Sequence, residues 1–220
     1  MGKSRNDEIP TVLDEMKEIQ DVFNALSANE VGIICLNYDS IDKNKEKHLY
    51  KFLIHKDSRE SIILACKDIG FYRIPHPQGK EAGYRMLYQT TEPILLYRDG
   101  IFLEFWDQLC CKSYFQNCWL PLDKLINEKR WENVEISEGV PVLNSIDRVV
   151  YNISNAFFTE RYFKETVKIF LENNSEYLEN KEVVTRLQKE FFGFTERLIK
   201  RLKAREYSAI FDDYRTFVDY

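Results

Sequence analysis

The chain has 220 residues, of which 44% are hydrophobic and 30% charged, and its formal net charge is −5. This length fits one domain, or one α/β domain with a helical appendage, and the composition argues against disorder. The negative balance disfavours nucleic acid as a partner. No apolar run approaches the roughly 18 residues of a membrane span, and the N-terminal residues lack the apolar segment of a signal peptide. Five cysteines without a C-x-x-C spacing indicate reduced thiols, so we predict a cytoplasmic protein.

The first part of the chain alternates between helical and extended patterns. Apolar side chains recur three or four residues apart over residues 7–27, and this spacing predicts a helix. The run VGIICL at 31–36 predicts a strand that is buried on both faces. The run HLYKFLIH at 48–55 predicts a second strand. A helix should follow it, with Asp57 or Ser58 as its N-cap.

Turn residues divide the middle of the chain. Gly70 is placed to end the helix after the second strand. Asp99-Gly100 separates the apolar runs ILLYR and IFLEFW, and this pattern predicts an antiparallel hairpin. Residues 108–130 favour short helices and loops, and the run PVL at 141–143 favours a brief strand.

The C-terminal part has helical periodicity. Ser145 could cap a first helix, and residues 147–173 predict one or two helices. Residues 181–206 predict one long helix with a broad apolar face. We therefore predict an α/β core over residues 1–143 and a helical C-terminal region, 144–220, that packs on it.

Four segments together suggest a family. They are VGIICLNYDS, EKHLYKFLIHKDSRESIILACKDIGF, GIFLEFWDQLCCKS and VPVLNSIDRVVYNI, within about residues 30–160. Their order resembles the nucleotidyltransferase superfamily, and in particular the nucleotidyltransferase-like proteins of bacterial polysaccharide gene clusters. The resemblance implies an α+β fold, with a nucleotidyltransferase-like mixed sheet, flanking helices and a helical C-terminal part.

The chemistry of that family depends on carboxylates that hold two divalent cations. An Asp-x-Asp pair lies on one strand, where residues two apart share a face, and a third carboxylate comes from a neighbouring strand. The resemblance places His48 and Tyr50 at the Asp-x-Asp positions and Glu104 at the third. The family's Gly-Ser turn is also absent. The resemblance therefore implies a binding, regulatory or polysaccharide-pathway protein, a pseudoenzyme in which nucleotidyl transfer is lost or altered.

Two alternatives stay open at this stage. The protein could be an active Mg²⁺-dependent nucleotidyltransferase, with Glu104 and His48 as catalytic residues and Glu46, Glu104 and Asp107 as metal ligands. It could also be an unrelated α+β enzyme, because a fold does not determine a reaction.

Binding partners are implied by two features. The resemblance implies a nucleotide or nucleotide-sugar, for which Tyr50 is a candidate contact. The basic string RLIKRLKAR contains Arg197, Lys200 and Arg201, which could bind a protein partner or an anionic ligand. A solvated helix face with cations near its C-terminus explains the same string.

Overall fold

The computed structural model describes residues 20–27, 32–37, 48–76, 85–86, 91–112, 118–122, 131–132, 134–137 and 139–217. Over these ranges a mixed β-sheet is flanked by helices, and helical segments dominate after residue 144. The predicted α+β architecture with a helical C-terminal part is confirmed. Within the same ranges, no helix combines the length and apolarity that crossing a membrane requires.

Ten strands are found in the described residues. They are β1 Ile33–Cys35, β2 His48–Ile54, β3 Tyr72–Ile74, β4 Arg85–Met86, β5 Ile94–Arg98, β6 Ile101–Trp106, β7 Cys110–Lys112, β8 Cys118–Pro121, β9 Val134–Ser137 and β10 Val140–Leu143. The main sheet has the order β3-β5-β6-β2-β1-β10-β9, and a small second sheet has the order β4-β8-β7. β2 lies parallel to β6 and antiparallel to β1. Strands β2 and β6 are therefore interior strands of the main sheet.

Seven α-helices are described. They are α1 (20–27), α2 Arg59–Asp68, α3 Ser145–Ser154, α4 Glu165–Asn173, α5 Lys181–Phe191, α6 Thr195–Lys203 and α7 Tyr207–Thr216. A π-helical segment, Asn155–Glu160, follows α3 directly. Asn144, rather than the predicted Ser145, caps α3, because its side chain accepts a hydrogen bond of 3.0 Å from the backbone N–H of Asp147.

The two faces of the main sheet bury different parts of the chain. Phe52 and Phe105 belong to an apolar cluster with side chains of α1 and α2, including Phe23 and Ile62. The opposite face contributes Leu53 and Trp106 to a second cluster with the C-terminal helices, including Val149, Phe157 and Leu187. Because alternate residues of a strand point to opposite faces, both clusters can draw on the same two strands.

The predicted hairpin is confirmed. Strands β5 and β6 pair antiparallel, with Ile94 opposite Phe105 and Arg98 opposite Ile101. Asp99 and Gly100 both have positive φ, 46° and 92°, which is the geometry of the turns that match the twist of such hairpins. Gly70, with a φ of 91°, likewise follows α2 as predicted.

Two predictions of secondary structure were wrong. The segment 108–130 contains strands β7 and β8 in its described residues rather than short helices. The long helix predicted over 181–206 is interrupted by a 3-10 turn, Phe192–Phe194, between α5 and α6. The backbone of Phe192 has a φ of 49°, which ends α5, yet Leu187, Leu198 and Leu202 are buried on one side as the periodicity indicated.

Candidate functional site

A charged pair lies on the two interior strands β2 and β6. Lys51 and Glu104 are direct neighbours in the parallel register, and the Lys51 Nζ lies 3.8 Å from Glu104 Oε2. Glu104 is only 6% exposed. Both residues alternate with the apolar residues that pack on α1 and α2, so they lie on the face that the C-terminal helices cover.

The π-helical segment after α3 adds a second carboxylate to this pair. Glu160 is its last residue, and its Oε1 lies 3.4 Å from Lys51 Nζ and 3.3 Å from Lys164 Nζ. Arg161, which follows, has a left-handed φ of 66° that turns the chain away. Lys51 therefore lies between two carboxylates from different parts of the chain.

A histidine completes the group on the other side of Glu104. His76 follows β3 and is 7% exposed, and its Nε2 lies 2.6 Å from Glu104 Oε1. The ionised carboxylate accepts, so the His76 Nε2–H donates. The ring edge of His76 also meets Trp106, with centroids 6.1 Å apart. We call Lys51, His76, Glu104, Glu160 and Lys164 the Lys51 cluster.

The charges of this cluster stabilise one another. Burial alone would raise the pKa of Glu104, but the Lys51 ammonium and the His76 hydrogen bond outweigh it and hold that pKa below its usual value. Burial would likewise raise the pKa of Glu160, which Lys51 and Lys164 lower instead. Burial would lower the pKa of Lys51, yet Glu104, Tyr151 and Glu160 together raise it above its usual value. All three groups are therefore charged near neutral pH.

The Lys51 cluster does not fit a two-metal centre. The β2 residues on the side of Glu104 are Leu49, Lys51 and Leu53, and none of them supplies a carboxylate. The Lys51 ammonium lies within 4 Å of both Glu104 and Glu160, at the place where a cation between those carboxylates would lie. Within the described ranges, no group of three or more His, Cys, Asp and Glu side chains is arranged to hold a metal ion.

The structure does not bring Tyr50 together with Glu104. Tyr50 pairs with Leu103 and is 6% exposed within the apolar cluster under α1 and α2, on the other side of the sheet. Its burial there argues against a contact with a ligand. The predicted positions 48 and 50 differ by one residue from Leu49 and Lys51, which lie on the side of Glu104. The backbone of His48 pairs with Ile101, but its side chain lies outside the described part of the chain, as does the whole of Glu46.

Asp107, predicted as a metal ligand, is bound by other side chains. The Thr91 hydroxyl donates to its Oδ1 at 2.5 Å, and Arg59 Nη1 lies 3.2 Å from its Oδ2. Arg59 also donates to the backbone oxygen of Glu92 at 2.8 Å. This arrangement joins the start of α2 to the segment before β5, which is a structural role.

The basic residues of α6 have different surroundings. Arg197 and Lys200 are exposed, and the Arg197 guanidinium lies 5.4 Å from the centre of the Phe217 ring. Arg201 forms ion pairs with Glu206 and, at 2.8 Å, with Asp213 of α7. Arg201 therefore joins two helices, whereas Arg197 and Lys200 are accessible to a partner.

Four residues of the cluster were missed in the sequence: Lys51, His76, Glu160 and Lys164. One signal was available, because the apolar run HLYKFLI contains one positive charge and the apolar run IFLEFW contains one negative charge. Such charges are rarely buried unless paired. Glu160 and His76 gave no comparable signal, because they come from segments far away in the chain.

The fold and the cluster together define a mixed α+β protein with a buried charge network beneath its C-terminal helices. No protein-family model matches the sequence, and no curated protein matches it significantly. Solved structures that are similar in fold include two of ANT(2'')-Ia. A crystal structure of ANT(2'')-Ia in complex with adenylyl-2''-tobramycin has 11% identity and a TM-score of 0.41, over 87% of this chain and 98% of that one. A solution structure of the antibiotic-resistance factor ANT(2'')-Ia has 7% identity and a TM-score of 0.45, over 94% and 100%.

Proposed function

We propose that this protein has a nucleotidyltransferase-like fold in which a lysine replaces the metal-binding carboxylates, so that it acts by binding rather than by metal-dependent nucleotidyl transfer. The observation that carries the proposal is the position of Lys51. Its ammonium faces Glu104 and Glu160 on the side of the sheet where the family resemblance expects carboxylates. A nucleotide or nucleotide-sugar is the ligand class that the resemblance supports.

The charge balance of the site supports this view. Hard divalent cations require several oxygen ligands, mainly carboxylates. Glu104 and Glu160 share the Lys51 ammonium, and Lys164 adds a second positive charge beside Glu160, so the two ammonium groups balance the two carboxylates. A cation that entered the cluster would have to displace or repel a buried ammonium. The pathway, including the predicted link to polysaccharide synthesis, stays a prediction.

Calorimetry with Mn²⁺ tests this proposal. We expect the wild type to bind no Mn²⁺ at the cluster below about 1 mM, which corresponds to roughly 4 kcal/mol of binding free energy. The variant Lys51→Ala removes the ammonium and leaves the carboxylates of Glu104 and Glu160, whose oxygens are suitable donors for Mn²⁺. It should therefore gain a Mn²⁺ site, and Lys51→Ala/Glu104→Gln should lose that gain.

An activity assay tests whether the protein is instead an active enzyme. Wild-type protein is incubated with labelled nucleoside triphosphates and Mg²⁺, with mono- and oligosaccharides as acceptors. Metal-dependent transfer that Glu104→Gln abolishes, and Lys51→Arg preserves, would overturn the proposal in favour of an active enzyme with an unusual ligand set.

A further inference from the structure

A cationic cavity lies in the helical C-terminal part. Its volume is about 620 Å³, within the range of small-molecule sites. Four of its lining residues are basic, Arg161, Lys168, Arg205 and Arg215, and one is acidic, Asp212. Four positive charges less one negative charge leave a net charge of three on the lining.

Three of these basic side chains pair with carboxylates, and one of these partners, Asp212, lies 3.6 Å from Arg215 Nη1 and lines the cavity itself. Lys168 Nζ is 3.1 Å from a carboxylate oxygen of Glu165, and Arg205 Nη1 is 3.2 Å from one of Glu172. Neither glutamate lines the cavity. These ion pairs hold the two basic residues at the wall, where their remaining donors are available to an anion.

Two of the four cations are placed by an uncommon backbone conformation. Arg161 and Arg205 have φ values of 66° and 59°, in the left-handed region that non-glycine residues rarely adopt. Such conformations persist where the surroundings fix them, and they concentrate at binding sites. Arg161 directly follows Glu160. At this turn the Glu160 carboxylate lies in the Lys51 cluster, whereas Arg161 lines the cavity.

Aromatic rings form the apolar part of the wall. Phe163 and Tyr207 are buried with ring centroids 5.2 Å apart, and Lys168 Nζ lies 5.6 Å from the centre of the Tyr207 ring. Tyr162 is 51% exposed and also lines the cavity. An exposed ring beside several cations suits a ligand that joins a flat group to phosphates.

We propose that this cavity binds a small molecule that carries an oligophosphate group. Three arginines offer planar forks that bind phosphate oxygens in pairs, and a lysine adds a point charge. The phosphate groups of an oligophosphate can each contact a different basic side chain around the cavity, which a single phosphate cannot do. The site is separate from the Lys51 cluster, so the inference does not depend on the proposed function.

Calorimetry with inorganic triphosphate, ATP and adenosine tests this site. We expect triphosphate and ATP to bind one per chain and adenosine not to bind. The variant Lys168→Gln/Arg215→Gln, which changes two accessible side chains, should weaken triphosphate binding by about a hundredfold, or about tenfold for each lost charge-assisted contact. The control variant Lys67→Gln/Lys189→Gln removes the same charge from exposed positions on α2 and α5 and should bind as the wild type does.

The outcomes separate this site from others. Equal weakening in both double variants would show nonspecific attraction and overturn the proposal, as would no binding of triphosphate or ATP at about 1 mM. ATP binding that Lys51→Gln abolishes but the cavity variant leaves intact would place the nucleotide on the sheet and also overturn it. Thermal unfolding of each variant confirms that the chain is folded.

Discussion

Lys51 and Glu104 face each other across β2 and β6, with 3.8 Å between the ammonium and the nearest carboxylate oxygen. Each is the single charged residue of an otherwise apolar interior strand, apart from His48 at the start of β2. A buried pair of this kind is costly to form, but it is far costlier to leave with one member missing. The stability of the sheet therefore depends on both charges of the pair being present.

Removing the ammonium should destabilise the protein strongly. Lys51→Met leaves the buried carboxylate of Glu104 and the half-buried carboxylate of Glu160 without their shared cation, and we expect it to lower the free energy of unfolding by about 3–5 kcal/mol. The double variant Lys51→Met/Glu104→Gln should recover part of that loss, because it also removes one of the charges. Urea denaturation of both variants measures the difference.

Lys164→Gln is the matched control for this experiment. Lys164 also pairs with Glu160, but its side chain is 30% exposed. A pair that water reaches contributes less than a buried one, so the loss should be at most about 1 kcal/mol. If Lys51→Met cost no more than Lys164→Gln, the buried ammonium would not have the role that we assign to it.

The stability of the protein should fall in acid because of the same cluster. The pKa values of Glu104 and Glu160 lie below their usual value of 4.5 in the folded protein. Their contribution is therefore complete above pH 4.5 and is lost as the pH falls below it through the folded pKa values. Unfolding monitored in urea from pH 7 to pH 3 checks this, and the slope should be shallower in Glu104→Gln than in the wild type. Identical slopes would contradict it.

Local patterns predicted much of the sheet, because short-range chemistry determines it. Asp99-Gly100 specified the β5–β6 hairpin, since only residues that tolerate positive φ fit its turn. Alternation along β6 places Phe102 and Glu104 on one face of the sheet and Leu103 and Phe105 on the other. The strands β7 and β8 were not predicted, because Cys110–Lys112 and Cys118–Pro121 are too short to show a clear alternation of apolar and polar residues.

The candidate site was predicted only in part, because the predicted position on β2 was one residue away from the side chain that faces Glu104. The resemblance pointed to β2 and Glu104, but it assigned the site to Tyr50 instead of its neighbour Lys51. A shift by one residue moves a strand's side chains to the other face. His76 and Glu160 reach Glu104 and Lys51 through tertiary packing, which no local pattern in the sequence records.

Replacing Asp107 should affect stability and leave metal binding unchanged. Asp107→Ala removes the acceptor of Arg59 and of Thr91, so we expect a loss of about 1–3 kcal/mol in the free energy of unfolding. Glu60→Gln on the exposed side of α2 is the control and should change little. Calorimetry with Mn²⁺ on Lys51→Ala and Lys51→Ala/Asp107→Ala adds the discriminating readout. A weaker Mn²⁺ site in the double variant would support Asp107 as a metal ligand after all.

The basic residues of α6 should separate into a structural one and two accessible ones. Arg201→Gln breaks the ion pairs with Asp213 and Glu206, so it should lower the melting temperature more than Lys200→Gln does. Differential scanning calorimetry measures both variants. If a protein partner binds this helix, charge reversal at Arg197 and Lys200 should weaken a pull-down without lowering the melting temperature. Equal melting temperatures for the two single variants would refute the structural role of Arg201.

A glycine at the junction between α5 and α6 should stabilise the folded protein. Phe192 has a φ of 49° and is 72% exposed, so it bears backbone strain without gaining burial in return. Phe192→Gly should therefore raise the free energy of unfolding by about 1 kcal/mol. Phe192→Ala removes the same ring but keeps the Cβ, so it serves as the matched control and should give no gain. Urea denaturation compares the three proteins, and a glycine variant no more stable than the alanine variant would show that the turn is unstrained.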